Sequence, residues 1–334
     1  RLASDFDTLQ KLSSEGAEAF KGISTGYRDL DDVIAGLNKS DLILIGARPA
    51  MGKTSFALNI ARNVAVKAKK KILFFSLEMT KEQLAQRVLS TEARVLSTKM
   101  RTGQLDTDDW TRLGLATASL NDCELYFDDT STITVAEMKA RARRLKNVDC
   151  IIIDYLGLIR SGTKVESRVQ EVTEITRSLK LMAKDLNIPV ICCAQLSRGT
   201  EGRGKSHRPQ LSDLRESGAI EQDADMVCFI HRPEYYKIYT DEKGNDLHGM
   251  AEIIIAKHRN GAVGDVLLRF RGEFARFQNP DDEMIVPMPG EESAAPVLRS
   301  KINSGGGQSF VPPPVEMAPQ PENPFGAPVP DVPF

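Results

Sequence analysis

The side chains with the most chemistry in them sit in one stretch, Gly46-Ala47-Arg48-Pro49-Ala50-Met51-Gly52-Lys53-Thr54. Gly52-Lys53-Thr54 sets a glycine, an ammonium and a hydroxyl in succession. Where such a run closes a turn and opens a helix, the backbone N–H groups of the turn and of the first helical turn point at phosphate oxygens. Lys53 then reaches the β- and γ-phosphates, and Thr54 supplies a hydroxyl to Mg²⁺. The chemistry expected is binding of a nucleoside triphosphate, ATP with Mg²⁺, by Ala47, Arg48, Pro49, Ala50, Met51, Gly52, Lys53, Thr54 and Ser55. One position departs from the phosphate-loop pattern. The first glycine of the pattern falls on Ala47, with Gly46 one residue earlier.

Three further side chains could complete a hydrolytic site. Asp154 follows four apolar residues, Cys150-Ile151-Ile152-Ile153, and its carboxylate would stand at the Mg²⁺. An acid ending a strand is a weak signal alone and a strong one beside a phosphate loop. Glu78, after Ile72-Leu73-Phe74-Phe75-Ser76-Leu77, is the candidate base that orients and deprotonates the attacking water. Gln195, after Pro189-Val190-Ile191-Cys192-Cys193-Ala194, could hydrogen-bond the γ-phosphate and pass its state to the loop beyond.

Two basic loops follow these strands. Arg160 to Val169 holds Arg160, Lys164 and Arg168; Arg198 to Arg215 holds Arg198, Arg203, Lys205, His207, Arg208 and Arg215, with glycines at 199, 202 and 204. Neither has an aromatic residue, so they suit gripping a nucleic-acid backbone with little sequence preference. Lys257-His258-Arg259-Asn260-Gly261 reads as a hairpin tip between strands at 251–257 and 263–270, with Asn260-Gly261 as the turn. If that tip lies at the far end of the sheet from the phosphate loop, Arg259 serves a neighbouring subunit rather than its own site.

The elements that must hold these groups are apolar strands alternating with helices. Strands are expected at 42–45, 72–77, 124–129, 150–154, 189–195 and 225–231, with helices over 55–68, 106–119, 134–146 and 167–187. Thr80 to Gln83 fits a capping box opening another helix, and Lys69-Lys70-Lys71 is expected to close the helix after the phosphate loop. Such alternation means α/β architecture, a mostly parallel sheet covered on both faces. Ligands bind at the carboxyl ends of its strands, where the Gly46 loop, Glu78, Asp154 and Gln195 all fall. Leu2, Phe6, Leu9 and Leu12 give residues 1–20 one apolar helical face, a linker helix suited to docking on a neighbouring subunit. Residues 280–334 hold 13 of the 17 prolines and a Ser304-Gly305-Gly306-Gly307 joint, and read as a disordered tail.

Bulk properties narrow the class. The 334 residues carry a net charge of −2, so any nucleic-acid surface must be local. The five cysteines lack metal spacing, and Cys150, Cys192, Cys193 and Cys228 lie in strand-like runs, as expected of buried reduced thiols in the cytoplasm. No apolar run approaches the roughly 18 residues of a membrane span, and no signal peptide is visible. A start at Arg1 instead of Met suggests a piece of a longer protein.

Seven signatures in order give the chain its resemblance. They are Ser24-Thr25-Gly26 with Leu30-Asp31, Gly46 to Thr54, Ser76-Leu77-Glu78-Met79, Ile153-Asp154-Tyr155-Leu156, Gln195-Leu196-Ser197-Arg198, the run Asp213 to Asp225, and Lys257 to Gly261. From about Ser4 to Asn279 the sequence resembles the C-terminal motor domain of replicative DNA helicases of the DnaB type, with a RecA-like P-loop NTPase core. The resemblance implies a homohexameric ring around single-stranded DNA, nucleotide hydrolysis at subunit interfaces, 5′→3′ movement and duplex unwinding at the fork. It assigns Glu78 as catalytic base, Arg259 as an in-trans finger with Lys257 as its companion, and Arg215, Glu216 and Gly218 to the DNA channel, beside Arg203 and Lys205 of the basic loop. It implies contact with primase and a helicase loader through the full-length protein. Asp331-Val332-Pro333-Phe334 resembles the tip of bacterial single-stranded-DNA-binding proteins, which would let a tethered tail reach a replication partner. Competing readings are a RecA-class recombinase and a nucleotide-dependent scaffold to which DNA is incidental.

Overall fold

The computed structural model describes residues 21–162, 167–196, 207–214 and 217–282. The expected linker helix at 1–20 and all but the first three residues of the expected tail lie outside these residues.

Among the described residues, nine strands form one sheet: β1 Leu42–Ala47, β2 Ile72–Ser76, β3 Leu125–Asp128, β4 Cys150–Asp154, β5 Val190–Gln195, β6 Met226–His231, β7 Met250–His258, β8 Gly264–Arg271 and β9 Arg276–Gln278. Their order is β3-β2-β4-β5-β1-β6-β7-β8-β9. The first six pair in parallel, and β7, β8 and β9 add an antiparallel extension. The helices among the described residues are α1 Arg28–Ile34, α2 Lys53–Val66, α3 Lys81–Ala93, α4 Ser97–Thr102, α5 Thr107–Asn121, α6 Val135–Leu145, α7 Arg168–Leu186 and α8 Ser217–Asp223.

The apolar runs are explained by burial on both faces. All six residues of β1 are buried. With side chains alternating across the sheet, Ile43 and Ile45 join Phe56, Ile60 and Val64 of α2 in one cluster. Leu42 and Leu44 join Ile175, Leu179 and Met182 of α7 in another. Thr80 and Gln83 form the expected capping box, and Asp106 with Asp109 and Thr134 with Glu137 form two more. Cys150, Cys192, Cys193 and Cys228 are buried and form no disulfide.

Two local expectations are corrected. Helix α2 stops at Val66, before the lysine run; Lys69 takes a left-handed φ of 53°, and Lys71 leaves to pair with Glu124 at 2.8 Å. The connection between β7 and β8 is no two-residue Asn-Gly turn. The last β7–β8 pair is Ile255 with Gly264, and neither Asn260 nor Gly261 has the positive φ such a turn requires. The end of β7 pairs instead with β6, where His258 faces Met226 and a bulge at Val227/Cys228 shifts the register.

Candidate nucleotide site

β1 delivers the loop to the carboxyl edge of the sheet. Gly46 is still strand: a Cβ there would lie 2.7 Å from the Phe229 ring and 3.2 Å from Leu196. Its glycine therefore serves close packing of β1 on β6 and not phosphate approach. Gly52, the N-cap of α2, has φ 91°, and a Cβ on it would press on the rings of Phe277 and Phe270. That one position needs glycine twice, for the left-handed turn and for the aromatic floor below it. Arg232 ties the loop down from the side, donating to the Ala50 carbonyl at 3.3 Å while stacking 4.2 Å from the Phe270 ring centroid.

Over this loop lies a cavity of about 330 Å³ lined by Ala47, Arg48, Pro49, Ala50, Gly52, Lys53, Thr54, Ser55, Glu78, Arg87 and Gln195. Glu78, Gln195 and the loop are thus brought together at the carboxyl ends of β2, β5 and β1, as the alternating strands imply. Met51 departs from the expected lining: it is 1% exposed and belongs to the core. Asp154 sits behind the loop, 1% exposed. Its Oδ2 accepts from the Thr54 hydroxyl at 2.6 Å, and its Oδ1 lies 3.4 Å from Lys53 Nζ. The Lys53 ammonium also lies 4.1 Å from the Tyr155 ring centroid. Oδ1 is buried yet accepts no hydrogen bond. A buried carboxylate with an unsatisfied oxygen, next to a hydroxyl on a helix N-terminus, is an oxygen donor set that fits Mg²⁺.

Sequence reasoning missed Arg87, Arg232, Phe270 and Phe277. Arg87 was recoverable: it falls seven residues, two helical turns, after the Thr80 cap, on the face of α3 that returns to the end of β2. The aromatic floor was not, because it comes from strands at the far edge of the sheet.

Arg259 and Lys257 are at the opposite edge. Ile43 and Met226 are level in the sheet, as are Ala47 and Ile230, while His258 faces Met226. Four residues at ~3.3 Å each separate the two levels by about 13 Å before the loop itself is reached. Arg259 is held there by Asp225 and the Gln222 carbonyl, each at 3.0 Å, and Lys257 by the carbonyls of Ala224 and Glu221. Burial, with Arg259 adding to it, draws the Lys257 ammonium pKa below its ordinary value.

Of the residues expected to meet DNA, Arg203, Lys205, Arg215 and Glu216, with Lys164 and Arg198, lie outside the described residues, and Gly218 lies within α8. Arg168 is engaged by Glu171 and the Gly157 carbonyl, and Arg208 by Glu252 and Asp265. No helix among the described residues is long and apolar enough to cross a membrane.

Residues 22–279 match the family described as DnaB-like helicase C terminal domain. The replicative DNA helicase DnaB of Geobacillus stearothermophilus is 46% identical over 296 residues, 86% of this chain and 63% of that protein. The replicative DNA helicase DnaC of Bacillus subtilis (strain 168) is 46% identical over 282 residues, 83% of this chain and 61% of its own. DnaB of Pasteurella multocida (strain Pm70) is 48% identical over 286 residues, 83% and 60% of the two chains. The chain thus spans about three fifths of the length of these relatives. Among solved structures, an isolated ATPase domain superposes with a TM-score of 0.74 at 34% identity, covering 82% of this chain and 97% of that one. A DnaB-like replicative helicase, studied with its interactions with primase, gives 0.72 at 35% identity, covering 77% and 63%. On the match over residues 22–279 and these identities, the chain belongs to the DnaB-like helicase C-terminal domain family.

Proposed function

We propose that this chain is the ATP-hydrolysing motor of a replicative DNA helicase, working as a homohexamer that moves 5′→3′ on single-stranded DNA and unwinds duplex at the fork. The observation that carries the reading is the split site. Phosphate loop, Glu78 and Gln195 share one cavity, while Arg259 and Lys257 stand at the other edge of the same sheet. A monomer cannot bring its arginine to its own phosphates, and head-to-tail subunits in a ring can.

Within one subunit the loop N–H groups and Lys53 take the triphosphate, with Lys53 moving from Asp154 to the phosphates. Thr54 and Asp154 would hold Mg²⁺, which when bound neutralises charge on the β- and γ-phosphates. Glu78, exposed at the end of β2, takes a proton from the attacking water. Gln195 hydrogen-bonds the γ-phosphate, and Arg87 meets the nucleotide from α3. The neighbour's Arg259 stabilises charge on the transferring phosphoryl group, with Lys257 beside it. Arg215, with Glu216 and Gly218, contacts the DNA backbone, supported by Arg203 and Lys205; phosphate contact without base stacking makes the grip sequence-tolerant. Primase and a loader are expected partners of the full-length protein; for primase, a DnaB-like replicative helicase of similar fold has been studied with it. The tail tip Asp331 to Phe334 is proposed to dock in a replication partner's pocket; deleting Phe334 should then abolish binding of the tail peptide.

ATP hydrolysis with and without single-stranded DNA tests the reading. DNA should stimulate wild type, and Lys53→Ala should be inactive with or without DNA. Hydrolysis unaffected by DNA, in a protein that assembles normally, would favour the scaffold reading.

A further inference from the structure

Asp225 stands at the amino end of β6, 3% exposed, and gathers contacts from three places, β1, α7 and the segment just after β7. Its backbone N–H donates to the Leu42 carbonyl at 2.9 Å, and its carboxylate accepts from the Leu42 N–H at 2.8 Å. Lys180 of α7 pairs with the same carboxylate and donates to the Ser40 carbonyl at 2.7 Å. On its other side, Asp225 Oδ1 lies 3.0 Å from the Arg259 guanidinium, and the Asp225 carbonyl accepts the Arg259 backbone N–H at 2.8 Å. The remaining contacts of the two cations all come from one place. Lys257 donates to the carbonyls of Glu221 and Ala224, and Arg259 to that of Gln222. These are carbonyls at and just after the end of α8, which carry the negative end of the helix dipole and have no helical partner ahead of them.

We propose that Asp225, with the carboxyl end of α8, is the seat that aims the Arg259–Lys257 pair at the neighbouring subunit's nucleotide, so that Asp225 is a positioning residue for hydrolysis at a site it never touches. This rests on the reading of Arg259 as an in-trans finger. Asp225 and Gln222 engage two of the five guanidinium N–H donors. The side chain remains 48% exposed, leaving the other donors for phosphate. A carboxylate fixed by β1 and α7 holds that fork where a solvated arginine would wander among rotamers. Displacing a catalytic group by ~1 Å costs on the order of a hundredfold in rate.

The test uses the full-length protein and Asp225→Asn, which keeps the shape and an acceptor for Leu42 but loses the charge. The seat predicts a fall in DNA-stimulated kcat of about a hundredfold with KM for ATP unchanged, because the subunit's own cavity is intact. On an Arg259→Ala background the same substitution should cost nothing more, since the group it aims is gone. Mixing Asp225→Asn with Lys53→Ala subunits should restore hydrolysis, because intact fingers then face intact cavities. A purely structural role of Asp225 predicts loss in both backgrounds and no recovery on mixing, and overturns the proposal. So does an unchanged kcat. If Asp225→Asn assembles poorly, Asp225→Glu carries the test: it keeps a charge for Lys180 but displaces it by one methylene, and should show the same kcat loss. If Arg259→Ala itself retains full kcat, the in-trans reading fails and not the seat alone.

Discussion

Glu78 has no hydrogen bond or ion pair among the described residues, while Lys53 and Thr54 are both engaged with Asp154. That asymmetry separates their roles by mutation. Glu78→Gln should leave nucleotide binding near wild type and lower kcat by ~10²–10⁴, read by fluorescent-nucleotide titration beside steady-state hydrolysis. Lys53→Ala should lose binding as well, and at the same time leave Asp154 buried with its pairing cation removed. A second residue-scale prediction concerns His231, 3% exposed at the end of β6, with Tyr236 between it and His207. Burial first, then the charges of Arg208 and His207, pull its pKa down to about 4. In the unfolded chain it titrates near ~6.5. The unfolded state therefore takes up a proton that the native state refuses. The folded protein loses stability as pH falls from ~6.5 towards 4, on the order of 3 kcal/mol in all. Denaturant unfolding should show about 2 kcal/mol of that loss between pH 7 and pH 5, reduced in His231→Phe. At this scale the sequence was legible where chemistry demands a residue type. Lys53, Thr54 and Asp154 could be grouped from the sequence, and the structure brings them together, because a phosphate and metal site would restrict the residue types that stand there. Met51 could not be sorted from its loop neighbours, because which side chain of a turn faces inward depends on what lies beneath it.

The parallel strands were legible because burial on both faces leaves an apolar run that little else produces. Cys150–Asp154 is marked to the residue, its apolar side chains ending on an acid. The short elements were not. α1, α4 and β9 are three to seven residues long, and α1 and β9 lean on partners distant in sequence: the Arg28 N–H donates to Asn279, and Asn59 donates to the Ala275 carbonyl and accepts from the Phe277 N–H. The Asn260-Gly261 pair misled because hairpin preference is local, whereas the carbonyls after α8 and the pairing to β6 decide where β7 ends. The antiparallel extension is the floor of the nucleotide loop, and this gives an element-scale prediction. Phe277→Ala removes a ring packed on Phe56 and Phe270 and under Gly52. It should cost about 3–5 kcal/mol of stability and weaken nucleotide binding without touching any phosphate ligand. By contrast Gly46→Ala inserts a methyl 2.7 Å from the Phe229 ring. It should lower the melting temperature through about 1–3 kcal/mol of overpacking, although the pattern next to it already tolerates Ala47. Thermal melts of both variants, with and without nucleotide, check the pair.

At the scale of the whole molecule, the proposed in-trans site makes the sheet the reason the protein would depend on its copies. One end of its strands holds the nucleotide cavity and the other a pair of cations, with the length of the strands between them. Hydrolysis by an isolated subunit should therefore be slow and should rise with assembly. This separation was legible before the structure: a residue following an antiparallel strand returns to the edge from which the parallel strands start. What holds the cations there was not legible, because Asp225, Lys180 and the α8 carbonyls meet only in three dimensions. The net charge of −2 fits the proposal that any nucleic-acid surface is local. The most direct test of the motor is unwinding of a forked duplex by the full-length protein with ATP, on forks carrying either a 5′ or a 3′ single-stranded arm. The account predicts unwinding that requires the 5′ arm and disappears in Lys53→Ala. Unwinding that requires only the 3′ arm, or that persists in Lys53→Ala, would contradict it.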